Sequence, residues 1–128
     1  MQIQPLIVVS DVVKSSSFYQ QVLLCESGHG GTEYEMLFSN GELILQLHAN
    51  DTHDHPGMFD SNVKVGNGVI LWFRTSKFEQ AVERIRDMQI TVVAEPHINP
   101  NAKQYEVWFR DPDNYLVVVS GNMGEAKE

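Results

Sequence analysis

The 128-residue sequence predicts an α+β fold in which two βαβββ modules form a cupped mixed sheet around a pocket. The main observation is a repeated hairpin plan. Residues 34–47 and 105–119 each contain an apolar run, a tight turn and a second apolar run, and both begin with Tyr-Glu. A strand-like run and a helix-like run precede each hairpin. Two such halves can enclose a pseudo-symmetric cavity, so the residues expected to face it are the candidates for function.

The first half begins with a β-branched run at residues 3–9, which predicts a strand. Ser10-Asp11 offers an N-cap for a helix whose apolar residues continue to Leu23 at three- and four-residue spacing. Strands are predicted near 33–39 and 42–48, because Ser39-Asn40-Gly41 between them is a strong hairpin signal.

The second half begins with a strand at Val69–Phe73. Ser76 and Glu79 have the spacing of a capping box at the start of an amphipathic helix. Three strands are then predicted, near 90–96, 104–110 and 115–120, and the turn Asp111-Pro112-Asp113-Asn114 joins the last two.

The length favours a single domain over residues 1–128. Its predicted parts are module 1 at about 1–49, a turn-rich connector at 50–67, module 2 at about 68–121, and a polar tail at 122–128.

Composition limits the partners and the compartment. The net charge of −8 disfavours nucleic acid, whose phosphates require a basic surface, and favours cationic ligands. No apolar run is long enough for a membrane span, and the N-terminus does not resemble a signal peptide. Cys25, which we interpret as a buried small apolar residue, is the only cysteine and cannot form an internal disulfide. A reducing cytoplasm is therefore expected.

Two stretches carry a resemblance to a known family. Val9-Ser10-Asp11 leads to Ser17-Phe18-Tyr19-Gln20-Gln21-Val22-Leu23, and Phe109-Arg110-Asp111-Pro112-Asp113-Asn114-Tyr115 forms the late turn. Together with the duplicated order of elements, they resemble the vicinal oxygen chelate superfamily over essentially the whole chain. That superfamily includes glyoxalase I, extradiol dioxygenases, and the fosfomycin and bleomycin resistance proteins.

The resemblance implies four positions where glyoxalase-type members place metal ligands. In this sequence they fall at Gln4, Gln46, Ile70 and Val118. Ile70 and Val118 cannot bind a metal, and two neutral amides fall short of the three or so His or carboxylate ligands of a catalytic site. The prediction is therefore no metal, no cofactor and no catalytic residue.

The remaining similarity is to the metal-free bleomycin resistance branch, which holds a bulky cationic drug in a crevice lined by aromatic residues. The segment Tyr105-Glu106-Val107-Trp108-Phe109-Arg110-Asp111-Pro112 is similar to its last-but-one strand. Period-two alternation places Trp72 on the face of Ile70, and Trp108 on the face of Glu106. An aromatic and anionic pocket is one interpretation; two ordinary core tryptophans are the other.

The histidines leave alternatives open. His48 shares a strand face with Gln46, and His53 and His55 follow in a polar loop. A displaced metal site of Gln46, His48 and one loop histidine is conceivable, as is a plain solvated loop. His97 lies in a turn-rich segment that could reach a cavity mouth.

The sequence thus predicts a small-molecule binding protein that sequesters an aromatic or cationic compound and pairs as a homodimer. The predicted ligand-binding residues are Gln4, Gln46, His48, Ile70, Trp72, His97, Glu106, Trp108 and Val118. One alternative is a metal-dependent lyase or dioxygenase with a rearranged Gln/His site, and another is a non-catalytic dimerisation module.

Overall fold

The structure, a computed structural model, describes residues 1–50, 57–101 and 103–122. The chain divides into two compact units, Met1–Val65 and Gly66–Glu128. In the described part, no helix combines the length and apolar character needed to cross a membrane.

The first unit has the order βαβββ. Its elements are β1 (Leu6–Val9), α1 (Val12–Leu23), β2 (Glu26–Ser27), β3 (Tyr34–Ser39) and β4 (Glu42–Ala49). The sheet order is β1-β4-β3-β2, with β1 parallel to β4 and the other pairs antiparallel. The two-residue strand β2 was not predicted, because its glycine-rich surroundings indicate only a break in the helix.

The second unit repeats this order. Its elements are β5 (Ile70–Arg74), α2 (Phe78–Asp87), β6 (Val92–Asn99), β7 (Gln104–Arg110) and β8 (Leu116–Asn122). The sheet order is β5-β8-β7-β6, again with one parallel pair, β5 with β8. The predicted α+β class and βαβββ modules are therefore confirmed, with one four-stranded mixed sheet in each unit.

In each unit, the helix covers one face of the sheet. The buried core of the first unit joins Tyr19 and Val22 of α1 to Leu37, Leu45 and Leu47 of the sheet. In the second unit, the ring of Phe78 on α2 lies 5.7 Å from that of Tyr105 on β7. We call the opposite face of each sheet its helix-free face; the candidate site residues are on these faces.

The start of α2 differs from the prediction. Lys77 is the N-cap residue, and no side chain caps the helix; the hydroxyl of Thr75 instead accepts a hydrogen bond from the Lys77 N–H at 3.0 Å. The predicted capping box of Ser76 and Glu79 is wrong because the helix begins one residue later than that spacing requires.

The repeated Tyr-Glu pairs lie in opposite phase. In β3, Tyr34 is opposite His48 on the helix-free face, whereas Glu35 points towards α1 and bonds Ser16. In β7, Tyr105 points towards α2 and Glu106 lies on the helix-free face, opposite Ser120. Tyr34, not Glu35, therefore occupies the place in the first unit that Glu106 occupies in the second.

Candidate functional site

Three side chains form one row across the helix-free face of the second unit. Val118 on β8 is paired with Trp72 on β5 at one side and with Trp108 on β7 at the other. Because neighbouring strands lie roughly 4.8 Å apart, the backbones of the two tryptophans are about 10 Å apart. The sheet register thus brings together two aromatic residues that are 36 positions apart in the sequence.

Trp72 is not a core residue, since 46% of it is exposed. Its indole N–H donates to the hydroxyl of Ser120 at 2.9 Å, and Ser120 is fully buried. The ring therefore leans across β8 and is held there by its polar end. Ile70, on the same face of β5, is also exposed. Trp72 and Ile70 therefore form a small exposed apolar surface on this face.

Glu106 is fully buried beside Trp108. One carboxylate oxygen accepts a hydrogen bond from the Trp108 indole N–H at 2.9 Å. The other accepts from Asn99 at 2.8 Å and from Gln104 at 3.3 Å. The carboxylate thus fixes the orientation of the Trp108 ring through its own hydrogen bonds.

The charge of Glu106 is maintained by these contacts. Burial alone would raise the pKa of Glu106, but hydrogen bonds from Trp108, Asn99 and Gln104, and the nearby His97, hold it below the ordinary value. The Nε2 atom of His97 lies 3.8 Å from the carboxylate, and its Nδ1 lies 2.7 Å from the Glu95 carbonyl. Glu106 is therefore a buried anion whose hydrogen-bond partners are neutral.

Val118 has no exposed surface, so a ligand could touch it only after the surrounding atoms moved. Direct ligand contact by Val118 and by the equally buried Glu106 therefore stays a prediction. His97 is partly exposed, and its ring lies 5.9 Å from that of Trp108.

A polar chain crosses the helix-free face of the first unit. The Tyr34 hydroxyl donates to the side-chain oxygen of Gln46, whose amide nitrogen donates to the backbone carbonyl of Gln4 at 3.1 Å. The Tyr34 ring lies between two imidazoles, 5.0 Å from that of His29 and 6.4 Å from that of His48. Burial, followed by the charge of Glu35, raises the pKa of Tyr34, so its hydroxyl remains a donor.

Two further predicted residues of the first unit, His48 and Gln4, differ in their exposure. His48 is buried, and its Nδ1–H donates to the Ala49 carbonyl at 2.8 Å. Gln4 is exposed and contributes its backbone oxygen to the chain.

The residues at the four glyoxalase-type positions do not fit a metal. Both ends of the Gln46 amide already have protein partners, and Ile70 and Val118 have no donor atoms. Within residues 1–50, 57–101 and 103–122, no group of three or more His, Cys, Asp or Glu side chains could hold a metal ion. His53 and His55 lie outside the described residues, so the displaced metal site stays a prediction.

Four residues that form hydrogen bonds with the predicted site residues were missed by the sequence analysis: Tyr34, Asn99, Gln104 and Ser120. Gln104 could have been found, because it lies two residues before Glu106 on the same strand. Asn99 could not, because β6 pairs with β7 through two register irregularities. Ser120 and Tyr34 required the strand pairing.

A family model described as "Glyoxalase/Bleomycin resistance protein/Dioxygenase superfamily" matches residues 2–119. No curated protein matches the chain significantly.

Several solved structures are similar in fold. A virulence protein from Salmonella typhimurium has 22% identity and a TM-score of 0.73, covering 96% of this chain and 98% of that one. A lactoylglutathione lyase from Agrobacterium tumefaciens has 19% identity and a TM-score of 0.70, covering 94% and 92%. A fosfomycin resistance protein from Listeria monocytogenes has 14% identity and a TM-score of 0.67, covering 98% and 96%. At such identities the likeness shows the fold alone.

Proposed function

Because the chain belongs to the glyoxalase/bleomycin resistance protein/dioxygenase superfamily, we propose that it is a metal-free binding protein that sequesters an aromatic or cationic small molecule. The fold of this superfamily supports unrelated activities, so the proposal depends on the side chains of this chain.

The exposed and anchored ring of Trp72 is the observation that carries the proposal. A half-exposed indole leaves apolar area in water that a ligand can cover. The hydrogen bond to Ser120 fixes the ring before a ligand arrives. A preorganised surface loses less conformational entropy on binding, which favours affinity.

The preference for a flat or cationic ligand follows from the chemistry of this face. Indole faces attract both aromatic rings and cations. Glu106 adds a buried negative charge beside Trp108, and the net charge of −8 draws cations from a distance.

A binding role without a metal fits the state of Gln46, whose amide is occupied by Tyr34 and by the Gln4 carbonyl. A lyase or dioxygenase would need the displaced site with His48 and a loop histidine. We also propose that the protein pairs as a homodimer, as small members of the superfamily do. A dimerisation module without a ligand is the remaining alternative.

Intrinsic fluorescence tests the proposal directly, because Trp72 and Trp108 are the only tryptophans in the chain. We expect N-methylquinolinium, a planar cation, to quench the emission in a saturable way. Trp72→Ala should abolish this quenching while leaving the unfolding temperature nearly unchanged. Ile98→Ala is the matched control, because Ile98 is as exposed as Trp72 but pairs with Tyr105 on the opposite sheet face. Equal quenching in wild type and Trp72→Ala, or no thermal shift with any planar compound, would contradict the proposal.

A further inference from the structure

The first unit has a cavity on the α1 side of its sheet, away from the face that holds Tyr34, Gln46 and His48. Its volume is about 370 Å³, within the range of small-molecule sites. The lining residues come from α1, the glycine loop and β3: Val13, Ser16, Ser17, Gln20, Gln21, Gly30, Gly31 and Glu35.

Glu35 supplies the chemistry of this cavity. The residue is only 3% exposed. One oxygen accepts hydrogen bonds from the hydroxyls of Ser16 at 2.7 Å and Ser27 at 2.8 Å. The other accepts from three backbone N–H groups, those of Gly30 at 2.7 Å, Met36 at 3.0 Å and His29 at 3.2 Å.

These partners favour the ionised form of Glu35 but bring no positive charge to it. Burial alone would raise the pKa of Glu35, but hydrogen bonds from Gly30, Ser16, Ser27 and Met36 hold it below the ordinary value. All of these donors are neutral. Among the described residues, no lysine, arginine or histidine side chain forms an ion pair with it. Hydrogen bonds satisfy the carboxylate oxygens, but buried charges are usually paired with an opposite charge, so a cation bound nearby is favoured.

The hydrogen bonds along α1 give the cavity wall a polarity. The amide nitrogen of Gln20 donates to the Ser16 hydroxyl at 2.9 Å, and that hydroxyl donates to Glu35. In the next row, the amide nitrogen of Gln21 donates to Ser17 at 3.0 Å. One N–H of each amide is thus turned to a serine, and both glutamines line the cavity.

The opposite wall of the cavity includes the backbone of two glycines. Gly30 has φ of 77° and Gly31 has φ of 124°, which are conformations that side-chain-bearing residues rarely adopt. These backbone angles direct the Gly30 N–H to Glu35 and leave no side chain in the cavity on this side.

We propose that this cavity binds a small organic cation with several N–H donors, such as an alkyl diamine. Its positive charge lies near the negative charge of Glu35, with the Ser16 hydroxyl between them. Its N–H groups donate to the amide oxygens of Gln20 and Gln21. The carboxylate itself is saturated with donors, so the ligand is held by the polarised wall and by the field of the charge.

Four probes of equal chain length separate charge from shape: 1,4-diaminobutane, 4-amino-1-butanol, 1,4-butanediol and succinate. Binding is followed by ¹H–¹⁵N correlation spectra of the whole chain. We expect saturable shifts at the backbone amides of Gly30 and Gly31 and the side-chain amides of Gln20 and Gln21. Affinity should fall in the order given, with the diol at least about tenfold weaker than the diamine and succinate inactive.

Matched variants decide between a site and general attraction to an acidic chain. Gln20→Leu removes one acceptor and should weaken diamine binding, whereas Gln80→Leu, on an exposed position of α2, should not. Ser17→Phe fills the exposed mouth of the cavity and should block binding without disturbing Glu35. Shifts that never saturate, that survive Gln20→Leu, or that succinate reproduces would overturn the proposal. Both tryptophans lie in the second unit, so these spectra and the fluorescence test fail independently.

Discussion

The indole N–H of Trp72 donates a 2.9 Å hydrogen bond to the fully buried hydroxyl of Ser120, on the strand parallel to its own. This bond holds an exposed aromatic ring in one orientation above a buried strand. It joins residues 48 positions apart and links the surface proposed for ligand binding to the sheet core.

Ser120→Ala should lower the binding free energy of N-methylquinolinium by more than it lowers the free energy of unfolding. Loss of this hydrogen bond is expected to cost about 1 kcal/mol of unfolding free energy, and the freed ring loses its preorganisation. Fluorescence titration and urea unfolding measure the two effects. Ser76→Ala, at an exposed position where no side-chain cap forms, should change neither. An unchanged dissociation constant in Ser120→Ala would remove the anchoring role.

Glu106→Gln should destabilise the second unit by about 1–3 kcal/mol at neutral pH, because an amide turns donors towards Trp108 or Asn99. The pKa of Glu106 is lowered by folding, so its stabilisation is present above the ordinary carboxyl pKa. It is lost as the pH falls towards the folded-state value. Urea unfolding from neutral to acidic pH should therefore show a shallower acid loss in Glu106→Gln than in wild type. Glu79→Gln, an exposed carboxylate on α2, should keep the wild-type slope.

Gly121→Ala should be clearly destabilising, by about 1–3 kcal/mol. An added Cβ would lie 2.8 Å from Cβ of Phe78 and 3.1 Å from the Thr75 carbonyl oxygen, so the start of α2 would have to move. Gly28→Ala is the comparison: its added Cβ would lie 2.3 Å from the ring of Phe38, a half-buried side chain that can move aside, and at an ordinary 3.5 Å from the Met36 carbonyl oxygen. Thermal unfolding that ranks Gly28→Ala as the worse variant would contradict the close approach of α2 to β8.

Elemental analysis of protein purified without chelator or nickel resin should find far less than one metal per chain. Added Zn²⁺, Mn²⁺, Ni²⁺ or Fe²⁺ should be removed by gel filtration, because Gln46 already has partners for both ends of its amide. About one retained metal per chain, lost in Gln46→Ala or His48→Ala, would instead support the lyase or dioxygenase alternative.

Cys25 should resist alkylation in the folded protein. Burial, with smaller effects from the charges of Glu35 and Glu26, raises its pKa to about 11, so little thiolate forms at mildly alkaline pH. Mass spectrometry after iodoacetamide treatment should show slow labelling when native and complete labelling in denaturant. Fast native labelling at neutral pH would contradict this.

The sequence alone determined the order of helices and strands, except for the two-residue β2, and which neighbours on a strand share a face. Gln46 with His48, Ile70 with Trp72, and Glu106 with Trp108 all follow from period-two alternation, which is a local property of an extended chain. The absence of donor atoms at positions 70 and 118 was also readable without coordinates.

Only the tertiary structure decided which face each helix covers and which strands meet. The same Tyr-Glu dipeptide places Glu35 against α1 and Glu106 on the helix-free face. In β3 it is the tyrosine that pairs with a helix-free residue of β4, His48, whereas in β7 it is the glutamate that pairs with a helix-free residue of β8, Ser120. The contacts of Ser120 with Trp72 and of Asn99 with Glu106 depend on a parallel pairing and on a bulged strand. Local residue preferences contain neither, because pairing between distant strands is selected by the burial of the whole core.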